Sequence, residues 1–207
     1  MPWTHNNIWK HLYISVYMTD TFNGVAYRLA NNWFNHVNVS DFKDRPISYL
    51  EIGTFYGANV LSVANTYGLH PDSKLYCVDP YEDYEHYPEY KGQQTSILET
   101  FTSNVNNSSH KHKINVCRGY SNCEIPKFTD EMFDIIYIDG NHEPEYVLED
   151  AVLCFRKLKK NGIMIFDDYG WGGPDLTKRG IDGFISGYHK RIIPLGIQQS
   201  QVFIMKK

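Results

Sequence analysis

Two apolar runs in this chain stop abruptly on acids. "FDIIYID" ends at Asp139, with Gly140, Asn141 and His142 directly behind it, and "GIMIFDD" ends in the pair Asp167-Asp168. If both runs are strands of one open α/β sheet, their carboxyl ends share a rim, and such sheets bind ligands at that rim. Carboxylates converging there repel one another. A hard divalent cation such as Mg²⁺ resolves the conflict, since it takes oxygen ligands and keeps positions for water or a substrate oxygen. His142, three residues past Asp139 at the turn into a helix, is placed to accept a proton near neutral pH. The plainer alternatives are solvated loop acids at Asp167 and Asp168 and a helix-capping role for His142.

The elements that must position these groups follow from the hydropathy pattern. Short apolar runs, "ISYLEIG", "KLYCVDP", "KINVCRG", "FDIIYID" and "GIMIFDD", alternate with segments of helical period, which is the mark of a βαβ sheet with helices on both faces. The segment "PEYVLEDAVLCFRKLKK" is the clearest helix. Pro144 suits its first position, while Val147, Leu148, Ala151, Val152, Phe155 and Leu158 form an apolar face, and Asn161-Gly162 reads as its stop. A further helix is expected from Leu176 to about His189. "RIIPLGIQ" and "SQVFIMKK" then follow so closely that they form an antiparallel hairpin. The expected fold class is therefore α/β, a doubly wound seven-stranded sheet with five parallel-type strands and a C-terminal antiparallel pair. Residues 1–45 would be an N-terminal helical cap, with "YRLANNWFNHV" its best helix, and 46–207 the core of a single domain, 1–207.

The first strand leads into "YLEIGTFYGANVLSVA", where Glu51, Gly53 and Gly57 stand between strand and helix. Glycines there let a ligand approach the backbone, and the next helix offers free N–H groups. Asp79, ending the second strand, is where an acid accepts hydrogen bonds from ribose hydroxyls. The G-x-G-x-x-G spacing of dinucleotide sites is absent, which disfavours a nicotinamide-dependent oxidoreductase.

"YLEIGTFYGANVLSVA", "LYCVDP", "YIDGNHEPEYVLEDA" and "GIMIFDDYGW" resemble the successive motifs of class I S-adenosylmethionine-dependent methyltransferases, which are Rossmann-like. Within these the chain resembles metal-dependent small-molecule O-methyltransferases related to macrolide-sugar and aminocoumarin-sugar enzymes. The resemblance implies S-adenosylmethionine as cofactor, with Glu51 and Gly53 on its methionine part, Asp79 on its ribose, Tyr120 and Ser121 near adenine, and Tyr56 and Gly57 also in its site. It implies Asp139, Asp167 and Asp168 as ligands of Mg²⁺ or another divalent cation. Some members carry an acid two residues after the first ligand as base and others a histidine three residues after it; here these positions are Asn141 and His142. The acceptor implied is a small-molecule or glycan hydroxyl, a sugar ahead of a catechol. A non-catalytic binding module that keeps the cofactor fold is the alternative of a different class.

Two segments read as acceptor walls: the acidic, tyrosine-rich "DPYEDYEHYPEYKG" and "DDYGWGGPDLTKRGIDGF", whose Lys178 and Arg179 are candidates to meet a phosphate. Trp3, Trp9 and Tyr13 are candidates to shape the acceptor pocket or to mediate formation of a homo-oligomer. A formal net charge of −4 argues against a nucleic-acid or membrane-surface partner. The chain starts without a secretory pattern, and no apolar run approaches the roughly 20 residues needed to span a bilayer, so a soluble, cytoplasmic protein is expected. Cys77, Cys117, Cys123 and Cys154 form no C-x-x-C pair and read mainly as core packing.

Overall fold

The computed structural model describes residues 22–26, 29–86 and 88–207. The expected strands β1 (Ser48–Ile52), β2 (Lys74–Asp79), β3 (Ile114–Arg118), β4 (Phe133–Ile138) and β5 (Leu158–Phe166) run parallel. β6 (Ile192–Gln198) and β7 (Gln201–Lys206) add an antiparallel hairpin, and the seven-stranded order is β3-β2-β1-β4-β5-β7-β6. This is the architecture expected from the pattern. β4 is buried along its whole length, as a parallel strand covered on both faces must be.

Helices close both faces. α1 (Ala58–Ala64) and α2 (Gln94–Asn107) bring Val60, Leu61, Ile97 and Phe101 to one core layer, which also holds Trp33 and Tyr67. The short turn α3 (Ser121–Glu124), α4 (Pro144–Lys157) and α5 (Thr177–Tyr188) lie along the other, where Val147, Phe155, Ile181 and Phe184 are fully or nearly fully buried. Each such side chain contributes about 1.5–3 kcal/mol on leaving water. Cys77 and Cys154 are buried, Cys117 is partly so and Cys123 is exposed, all as free thiols.

The structure departs from the pattern in two places. α4 ends at Lys157, because Leu158 turns extended and pairs with Phe133 at the start of β5. Lys159 then reaches Asp134 at 2.8 Å, and Asn161 takes a left-handed φ of 61° where the β4–β5 register shifts. Asn161-Gly162 is thus an irregularity within a strand, not a helix stop. In "YRLANNWFNHV" the described residues form only a 3-10 turn, Ala30–Trp33, since Trp33 is driven into the core and the Ala30 N–H is taken by Ser62 Oγ at 2.8 Å. Trp3, Trp9 and Tyr13 lie outside the described residues. The β6–β7 turn uses Gln199 and Ser200, both at positive φ, in place of the usual Asn-Gly. The Ser200 carbonyl accepts the Tyr169 N–H at 2.8 Å, so the turn pins the loop that follows β5. Among the described residues no helix is long and apolar enough to cross a membrane.

Candidate active site

The strand ends are aligned. Ile52 pairs with Val78 and with Ile138, and Ile138 with Phe166. One residue further on, Gly53 N–H donates to the Val78 carbonyl at 2.9 Å, Asp139 N–H to Ile52 at 2.8 Å and Asp167 N–H to Ile138 at 3.0 Å. The ladder therefore delivers Gly53, Asp139 and Asp167 to one level. The chain reverses direction in the sheet between β1 and β4, which is where an open α/β sheet leaves its crevice. A cavity of about 1030 Å³ opens there.

Asp139, His142 and Asp168 converge in it, each with a ligand-type atom within 4.8 Å of the others. His142 Nε2 lies 3.3 Å from Asp168 Oδ2 and 3.9 Å from Asp139 Oδ1. Local structure explains the pose. Asn141 Oδ1 accepts the Glu143 N–H at 2.8 Å, an Asx turn that starts α4 and swings His142 inward. Trp171 stacks obliquely on the imidazole with ring centroids 4.5 Å apart. Asp168 adopts φ 54°, and its carbonyl accepts from Trp171 N–H at 2.8 Å and Thr177 Oγ1 at 2.5 Å.

Asp167 stands behind this group. Its carboxylate accepts from the Tyr137 hydroxyl and, at 3.4 Å, from Gln201 Nε2, and its other oxygen accepts the Asp168 N–H at 2.7 Å. The adjacent acids thus differ in task, Asp168 facing His142 and Asp167 fixing the backbone that presents it. The Asp139 and Asp168 carboxylates lie close enough to share a divalent cation, with the imidazole beside them.

The groups expected around a nucleoside cofactor line the same cavity, Gly57 excepted. Glu51 Oε2 accepts from the Tyr49 hydroxyl at 2.6 Å and from Asn59 Nδ2 at 3.3 Å. Asp79 accepts from the backbone N–H groups of Thr54, Phe55 and Tyr81 at 2.9, 3.3 and 2.9 Å, so it braces the loop after β1 as well as facing the crevice. At Gly53, φ 79°, a Cβ would sit 2.0 Å from the Asp139 carbonyl oxygen. The close approach that requires glycine is therefore that of the β4 loop. Gly57, φ 83°, caps α1 and lies against the Phe101 ring. Tyr56 packs on Phe55, and Tyr120 donates its hydroxyl to Glu82 at 2.9 Å.

Burial sets the electrostatics. It pushes the Glu51 carboxyl up to about 8, aided by repulsion from Asp139 and Asp79 and opposed by the Tyr49 and Asn59 hydrogen bonds. Asp139 is pushed up to about 7 by burial and by Asp167 and Asp168, against the pull of His142. Asp79 is raised by burial against its three backbone donors.

Some lining groups were not singled out from the sequence. Asp150 is 3% exposed on α4, accepts the Ser121 hydroxyl, is pushed up to about 7 mainly by burial, and leaves Oδ1 without a hydrogen-bond partner among the described residues. An acid at i+3 from Val147 on an apolar helix face was the available signal. Conversely, Lys178 pairs with Asp182 and lies over the Tyr169 ring, while Arg179 pairs with Asp175 at 3.3 Å; neither lines the cavity, because α5 turns both toward acids on its own or the preceding turn.

Comparison with known proteins adds the family. An uncharacterized protein of Acanthamoeba polyphaga mimivirus is 27% identical over 139 residues, covering 62% of this chain, and the chain spans about half, 54%, of that relative's length. The O-methyltransferase TomG from Streptomyces achromogenes, solved with SAM, superposes with a TM-score of 0.58 at 18% identity over 77% of this chain and 73% of its own. MycE methyltransferase from the mycinamycin biosynthetic pathway, solved with Mg, SAH and mycinamycin VI, gives 0.60 at 18% identity over 95% and 54%. At these identities the likeness to both structures is one of fold. The family model described as a methyltransferase domain matches residues 50–169, more than half of the sequence and all of the strand ends described above, and this chain belongs to that family.

Proposed function

We propose that this chain is an S-adenosylmethionine-dependent, Mg²⁺-dependent O-methyltransferase acting on a hydroxyl of a sugar or glycan. The observation that carries the reading is the meeting of Asp139, His142 and Asp168 in the crevice that Glu51, Gly53 and Asp79 also line. TomG and MycE, whose fold the chain shares, are described with SAM or SAH, and MycE also with Mg. Asp139 and Asp168 would hold the cation, with Asp167 keeping Asp168 in place. Glu51 and Gly53 would meet the methionine part of the cofactor, Asp79 its ribose, and Tyr120 and Ser121 its adenine. When bound, the cofactor supplies a methyl group already activated on a sulfonium and the cation lowers the pKa of an acceptor hydroxyl.

His142 does the remaining chemistry. Its Nε2 takes the hydroxyl proton as the oxygen acquires the methyl group, and Trp171 limits the ring's movement and its contact with water. Asn141, which has no basic atom and is spent on the Asx turn, leaves that role to His142. A catechol acceptor is the second reading, favoured by the aromatic wall of Phe55, Tyr56 and Tyr90.

The test is release of S-adenosylhomocysteine with sugar and catechol acceptors, with Mg²⁺ and with a chelator. His142→Ala should lower turnover at least about a hundredfold while cofactor and cation affinities change little. A fully active variant would remove His142 as base, and loss of cation binding would make it a ligand.

A further inference from the structure

We propose that the cavity selects neutral or cationic acceptors and turns away phosphorylated, carboxylated or nucleotide-linked ones. This rests on the methyltransferase reading above and narrows it. Beyond the acids assigned to cofactor and cation, the cavity carries Asp83, Glu85 and Glu89 from the loop after β2, and Glu149 and Asp150 from α4. No lysine or arginine lines it among the described residues, where His86 and His142 are the basic side chains.

Arg118, at the end of β3, donates Nε–H to the Pro80 carbonyl at 3.3 Å, and Lys178 and Arg179 are held by Asp182 and Asp175. Recognition of a phosphate or carboxylate calls for such groups, with Arg the usual choice because its donors fork. Here an anion would meet carboxylates instead. Asp150, whose Oδ1 has no hydrogen-bond partner among the described residues, adds a buried acid to the cavity wall. Tyr84, Tyr90 and Trp171 offer ring faces, which hold sugars, arenes and ammonium groups without a counter-charge.

Matched acceptors test the proposal: dopamine, 4-methylcatechol and 3,4-dihydroxybenzoate in one series, glucosamine, glucose and glucose 6-phosphate in the other. Release of S-adenosylhomocysteine is measured at saturating cofactor and fixed Mg²⁺. Within a series the neutral and ammonium members should exceed the anion by at least about tenfold in kcat/KM. Because Asp83, Glu85 and Glu89 are exposed, the gap should shrink with added salt and in a Glu85→Gln/Glu89→Gln variant. An anion turned over as well as its neutral counterpart overturns the proposal.

If no member is turned over, the cavity potential is read from Trp171, which is 46% exposed beside His142, in a Trp3→Phe/Trp9→Phe protein whose remaining Trp33 is fully buried. Quenching by caesium should then exceed quenching by iodide, each normalised to free N-acetyltryptophanamide, and the double Gln variant should narrow the difference. Iodide equal to or above caesium overturns the proposal. Titration with S-adenosylhomocysteine, which reports on the methyltransferase reading alone, separates the two failures.

Discussion

Replacing Glu51 with Gln should flatten the pH dependence of the unliganded chain's stability. The carboxyl is 1% exposed, and burial pushes it up to about 8 from an ordinary 4.5. Between those values the folded chain keeps a proton that the unfolded chain has released. The group's contribution is therefore fully present below pH 4.5 and is lost as pH rises through about 8. The slope is about 1.4 kcal/mol per pH unit, which integrates to roughly 2 kcal/mol lost between about pH 6 and pH 8. Gln cannot titrate, and its amide oxygen can still accept from the Tyr49 hydroxyl. Urea unfolding of both proteins at about pH 6, 7 and 8 should thus show the variant gaining roughly 2 kcal/mol on the parent across the range. Parallel pH curves would refute the reasoning. The same variant should bind S-adenosylhomocysteine at least about tenfold more weakly, because the carboxylate proposed to meet the amino-acid end of the cofactor is lost. Stability gained and affinity lost at one position is what a site built for a cation entails.

The two acids after β5 should part company. Asp168→Ala should abolish divalent-cation binding measured by calorimetry, while Asp167→Ala, which removes the group that holds the Asp168 N–H, should weaken it by about 10–100-fold. Gly53→Ala should cost about 2–4 kcal/mol in urea unfolding, since its Cβ would meet the Asp139 carbonyl oxygen at 2.0 Å in a left-handed conformation; a loss under about 1 kcal/mol would show that the β1 and β4 loops move apart freely.

What the sequence disclosed was set by local pattern. Strands that end on acids, and a Pro that starts a helix, are visible within ten residues, so the sheet, the hairpin and the convergence of Asp139, His142 and Asp168 were legible. Groups fixed by contacts across the fold were not. Tyr137 reaches Asp167 from the neighbouring strand and Gln201 reaches it from β7. The different tasks of Asp167 and Asp168 follow from the backbone turn at Asp168, which residue types do not encode. Lys178 and Arg179 looked available because charge is visible in sequence while an i,i+4 partner's claim on it depends on helix phase. Leu158 fitted the helical period equally well as the first residue of β5, since it is fully buried in the same core layer either way.

The proposed function stands on a sulfonium cofactor held beside a divalent cation in the crevice beyond β1, β2 and β4. The most direct measurement is calorimetric titration of the protein with S-adenosylhomocysteine, with Mg²⁺ present and then with a chelator. Saturable binding at about micromolar concentration, together with Mg²⁺-dependent methyl transfer to a hydroxyl acceptor, is the predicted result. Absence of binding in both titrations would contradict the proposed function and leave the family fold without its cofactor.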